Sequence, residues 1–102
     1  MSEQPSDYLR VEVVANRAVQ EDFFEAIESR GITGHYTLWP EVQGSGDAGP
    51  RRGDHVWPEE NFVFVSYLTR AEALRLREAV DAVREVFPDE GVRMFATAAV
   101  DI

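Results

Sequence analysis

The hydrophobic pattern of this chain switches from strict alternation to a helical stripe twice in the same order, which confines it to a few layered folds. In the first pass Leu9, Val11, Val13 and Ala15 alternate with Arg10 and Glu12, the period of a strand with one wetter face. Asn16 follows as an N-cap residue. Val19, Phe23, Ala26 and Ile27 then recur at helical spacing, with Glu21, Asp22, Glu25 and Glu28 mostly elsewhere, and Gly31 supplies the stop. His35–Trp39 is β-rich but meets Pro40, which predicts a strand that bends, bulges or lies at an edge.

The second pass begins with Asn61–Leu68, apolar nearly throughout as a central strand should be. Thr69 and Glu72 read as a capping box for a helix carrying Ala73, Leu76, Val80, Val83 and Phe87 on one stripe, with Leu74 beside it, ending before Pro88. Met94, Ala96, Ala98 and Val100 then alternate along a fourth strand. The order βαβ followed by βαβ packs most simply as an α+β, ferredoxin-like βαββαβ domain, with two helices on one face of a four-stranded antiparallel sheet. A chain of 102 residues closes one such core, so residues 1–102 are read as a single domain. The other sheet face, with Tyr8, Val14, Phe95, Ala99 and one side of the 62–67 strand, stays partly apolar and predicts self-association.

Charge narrows the function. The net charge is −9, and all 10 basic residues are arginine. Such a chain repels phosphate backbones, which argues against nucleic acid and anionic membranes as main partners. There is no cysteine, hence no thiolate metal site and no cysteine nucleophile. No apolar run is long enough to span a bilayer, and the polar start MSEQPSD does not resemble a signal peptide, so the expectation is a cytoplasmic protein without membrane insertion. No Ser-His-Asp grouping or paired catalytic carboxylates stand out, and an enzyme is not expected.

Residues 44–60 form the expected functional loop. They hold Gly44, Gly46, Gly49 and Gly53 together with Arg51, Arg52, His55 and Trp57, and structureless connections beyond about 12–15 residues commonly bind or gate. Gly44 and Gly46 would let backbone amides approach an anion, and Arg51 and Arg52 are bidentate donors suited to phosphate or carboxylate. Trp57 is read as a cap on the core or a subunit contact. His35 and His55, with Asp54, Glu59 and Glu60 near in sequence, leave a divalent-metal site open as an alternative, though without the compact ligand spacing of strong metal sites.

Gly31-Ile-Thr-Gly34, Glu41-Val-Gln-Gly-Ser-Gly46 and Arg52-Gly-Asp54, in that order, resemble the PII signal-transduction (nitrogen regulatory) proteins of bacteria. The resemblance implies a homotrimer with small-molecule sites in the subunit clefts, an adenine nucleotide or small anion as effector, and a T-loop that signals to a partner protein. Carried over by position, it implies ligand contacts at Thr33, Thr37, Gln43, Gly44, Gly46 and Arg93, and a T-loop at 44–60, in which Arg51, Arg52, His55 and Trp57 are read as serving a partner or the subunit interface. The chain departs from the family in having no tyrosine between Gly44 and Asn61, a short Phe87–Gly91 segment where the family has a Gly-rich phosphate loop, and no C-terminal arginine pair. The related CutA-type trimers, associated with divalent metals, supply the alternative function in metal homeostasis.

Overall fold

The computed structural model describes residues 8–32, 34–44 and 59–102. Four strands, β1 (Tyr8–Asn16), β2 (Thr37–Gly44), β3 (Glu59–Thr69) and β4 (Val92–Ala99), form one antiparallel sheet in the order β2-β3-β1-β4. Two helices, α1 (Gln20–Ser29) and α2 (Arg70–Val86), connect β1 to β2 and β3 to β4. The ferredoxin-like α+β expectation is met.

The central pair explains the hydrophobic pattern. β1 pairs with β3 from Tyr8↔Thr69 to Asn16↔Asn61 and with β4 from Tyr8↔Ala99 to Ala15↔Val92. This register aligns Val11, Val13 and Ala15 with Ser66, Phe64 and Phe62 on the helix side. All six are buried. Phe23 of α1 packs over this row, with ring centroids 5.4 Å from Phe62 and 5.1 Å from Phe64, and Leu76, Val80 and Val83 of α2 complete the core. Phe24, Tyr36 and Phe64 extend it toward β2.

Local chemistry fixes the helix ends. The Asn16 Oδ1 accepts from the Ala18 amide at 2.8 Å, within a single 3-10 turn (Arg17–Val19) that leads into α1. At the other end Gly31 adopts φ +75°, its amide reaches the Glu28 carbonyl, and the Ile32 amide reaches Ile27 at 2.9 Å. This is a Schellman closure whose hydrophobic contact is the buried pair Ile27 and Ile32. The expected capping box is formed: Glu72 N–H donates to Thr69 Oγ1, and Thr69 N–H to the Glu72 carboxylate. From the last turn of α2, the Arg84 guanidinium donates from Nε and Nη2 to the Val92 carbonyl at 3.0 and 2.9 Å, tying the helix to the start of β4.

The structure corrects several expectations. Pairing continues through Gln43↔Glu60 and Gly44↔Glu59, so the ends of the expected 44–60 loop belong to strands and the connection proper is 45–58. Backbone pairing outweighs loop composition there. Between Trp39 and Val42 the register shifts by one residue, the bulge that Pro40 foreshadows on an edge strand. Leu74 is 58% exposed, on the outer side of α2. Val100 lies beyond β4, and Ala96 and Ala98 are exposed because the helix layer does not reach the outer half of that strand.

Phe64→Ala should lower unfolding free energy by about 3–5 kcal/mol, whereas Leu74→Ala should stay within about 0.5 kcal/mol of wild type. Urea unfolding followed by circular dichroism tests both; equal losses would contradict this core.

Candidate functional site

Residues of chemical interest gather at two ends of the sheet. At one end lie the closing residues of β2, the opening of β3, the start of α1 and the start of β4. Here Arg17, just before α1, reaches both stems of the 45–58 connection: its Nη1 lies 2.8 Å from Glu60 of β3 and 3.8 Å from Glu41 of β2. One guanidinium thus bridges two strands that pairing already joins at Gln43↔Glu60. Sequence reasoning passes over Arg17 because its partner stands 43 residues away and no local pattern announces the pair.

Gln43 sits in β2 opposite Glu60 and therefore shares the helix side with it. Gly44 closes the strand opposite Glu59. Arg93, expected just ahead of the last strand, stands inside β4, opposite Val14, with its guanidinium carbon 5.3 Å from the Phe95 ring centre. Gln43 and Arg93 share an end of the sheet but occupy opposite edges and opposite faces, three strand spacings or about 14 Å apart.

The opposite end holds a pocket of about 300 Å³ between the α1–β2 turn and the end of β3. Ile27, Ile32, Phe64 and Leu68 give it an apolar floor, while His35, Tyr36, Tyr67 and Glu72 supply polar rims. The buried Ser66 hydroxyl donates to the His35 carbonyl at 2.7 Å, which pins the turn to β3. Thr37 opens β2 beside this turn, so six residues, or roughly 20 Å of extended strand, separate it from Gln43. Within one chain the expected ligand residues are therefore split: Thr37 stands at mid-sheet, opposite Val65 and level with Glu12, and Gln43, Gly44 and Arg93 lie at the end away from the pocket. Thr33, Gly46, Arg51, Arg52, His55 and Trp57 lie outside the described residues.

His35 is exposed, and among the described residues no group of three His, Asp or Glu is placed to hold a metal ion. With His55 outside that set, no observation favours the metal alternative.

The face without helices carries Tyr8, Trp39, Tyr67 and Phe95, each between 42% and 58% exposed, with Val14, Val63 and Val65 between them. Arg10 and Glu12 cross its centre at 3.0 Å. The hydrogen bond to Glu12 raises the Arg10 pKa above its ordinary value, and Tyr67 acts in the same direction. Among the described residues no helix is long and apolar enough to cross a membrane.

No family model and no curated protein sequence matches the chain. Solved structures do. A PII-like signaling protein from Thermus thermophilus superposes with a TM-score of 0.63 at 18% identity, over 93% of this chain and 89% of that one. CPII, a nitrogen regulatory PII-like protein from Thiomonas intermedia K12 bound to ADP, AMP and bicarbonate, gives 0.66 at 16% identity, over 88% and 87%. The GlnK–ATP complex of B. subtilis gives 0.62 at 15%, over 93% and 85%. The fold is PII-like.

Arg17→Ala should speed hydrogen exchange at Val42, Gln43 and Glu60 while lowering global stability by no more than about 1 kcal/mol, the ceiling for an exposed ion pair. Exchange measured by mass spectrometry would reveal unchanged protection if Arg17 does not hold the stems.

Proposed function

We propose that this chain is a PII-like sensor: a non-enzymatic cytoplasmic subunit that assembles as a homotrimer, binds an adenine nucleotide or a small anion in clefts between subunits, and signals to a partner protein through residues 45–58. The observation that carries this reading is the split of the candidate ligand residues. The pocket end offers an apolar floor and aromatic rims, the features a purine plane needs. The other end offers Arg17, Gln43, the Gly44 backbone and Arg93, which suit phosphate or carboxylate. Within one chain Gln43 and Arg93 stand on opposite edges of the sheet, and a cleft that sets the β4 edge of one subunit against the β2 edge of its neighbour brings them to one seam.

The sheet supports assembly independently. Its exposed face is apolar around a central ion pair, and such faces mark interfaces. Its outer strand β4 runs Met94–Ala99 without charge, proline or bulge, an unprotected edge that invites pairing. β2 and β4 are the two edges and run in opposite directions. The β4 of one copy can therefore continue antiparallel beside the β2 of the next, with helices outside and the apolar face inside.

The likeness to CPII bound to ADP, AMP and bicarbonate, and to GlnK bound to ATP, supports the choice of ligand class. The net charge of −9 favours small or few-phosphate anions over a triphosphate.

Thermal unfolding with ADP, AMP, ATP and bicarbonate in turn tests the binding reading. A binder of the native state should raise the midpoint with concentration, by about 2.7 kcal/mol of apparent stability at a hundredfold excess over Kd, and Arg93→Ala should reduce the gain. Flat midpoints for all four would remove the sensor reading. Sedimentation of the chain alone should give a trimer, and Phe95→Asp should dissociate it; a monomeric wild type would remove the cleft.

A further inference from the structure

The helix layer carries a second concave surface, between the two helices and toward the end where α1 begins and α2 stops. Along α1, Asp22, Glu25, Ala26 and Ser29 fall on one stripe at i, i+3, i+4 and i+7, and they face Ala82, Val83 and Val86 of α2, with Phe87 closing the end. The alanines are too small to fill the seam, leaving an open groove of about 290 Å³. Val86 is 69% exposed beside it, adding an apolar edge to the groove.

The charge around this groove is one-sided. α1 carries Glu21, Asp22, Glu25 and Glu28 and no basic residue from Gln20 to Ser29. None of these four carboxylates takes part in the salt bridges of the described residues, whereas Asp81 on the outer side of α2 pairs with both Arg77 and Arg84. Arg84 is also held toward β4 by the Val92 carbonyl. Arg30 donates to the Ala26 carbonyl and the Ser29 hydroxyl, which leaves Asp22 and Glu25 as the charged rim of the open end. Like charges at i, i+3 and i, i+4 oppose the helix that bears them.

We propose that the α1–α2 groove docks a cationic amphipathic helix of a partner protein, an aliphatic side chain seated between Ala26 and Ala82 against Val86, and flanking lysine or arginine side chains on Asp22 and Glu25. The pairing of an apolar seam with an unneutralised acidic rim selects this occupant. A nucleic acid or an anionic lipid surface is repelled by the same rim, and a second copy of this chain would bring acidic α1 against acidic α1. The groove is lined by none of the candidate ligand residues.

The test is an amide chemical-shift titration of the whole protein with a 14-residue helical peptide of leucine and lysine, against a scrambled peptide of the same composition. Saturable shifts should centre on Asp22, Ala26, Ser29, Ala82 and Val86. The double variant Asp22→Asn/Glu25→Gln and the single variant Val86→Ser should each weaken binding by about tenfold, with circular dichroism confirming that both fold. Shifts centred elsewhere, equal binding of the scrambled peptide, or an unchanged affinity of Val86→Ser would overturn the proposal. So would a change in sedimentation of the peptide-free chain on Val86→Ser, which would make the groove a contact between copies.

Discussion

β1 is hydrogen-bonded along its length to β3 on one side and to β4 on the other, and its alternate residues Val11, Val13 and Ala15 are the floor on which both helices rest. Everything else is referred to this strand. Its register with β3 sets which aromatic rings face Phe23, and its register with β4 sets where Arg93 and Phe95 stand. A slip of one residue would exchange the buried and open faces together. The cost of such a slip is the whole core, which makes this pairing the firmest constraint in the molecule.

The elements are readable in the sequence wherever the signal is local. Thr69 and Glu72 announce a cap that forms, Gly31 announces a helix stop that takes a positive φ, and Pro40 announces an irregular edge strand. What escapes is non-local. The Arg17–Glu60 and Ser66–His35 contacts join residues far apart in sequence and leave no trace in any window. Strand pairing also claims Gly44, Glu59 and Glu60, whose composition suggests a loop. Of the candidate site, the residue types are visible beforehand, but not that Thr37 stands at mid-sheet on the open side while Gln43 lies at the end of the sheet on the helix side.

The likeness to PII structures rests on shape at 14–18% identity, and the departures are chemical rather than architectural. The superposition carries the fold, while basic groups at the ends of the described sheet are few. A likeness of shape at this identity carries the fold and leaves the chemistry to the residues at the margins of the sheet.

The bulge between Trp39 and Val42 works like a frameshift in the alternation of faces. Before it odd-numbered residues such as Thr37 and Trp39 share the open side with Val65 and Val63; after it Val42 shares that side with Asn61, and Gln43 turns to the helix side with Glu60. The single extra residue therefore decides which side of the sheet the stem of the 45–58 connection addresses. Removing it would leave the strand long enough and apolar enough to pair, yet would invert the stem. Length variation at this one point is thus a means by which related chains could redirect the same connection from one side of the sheet to the other without altering the core.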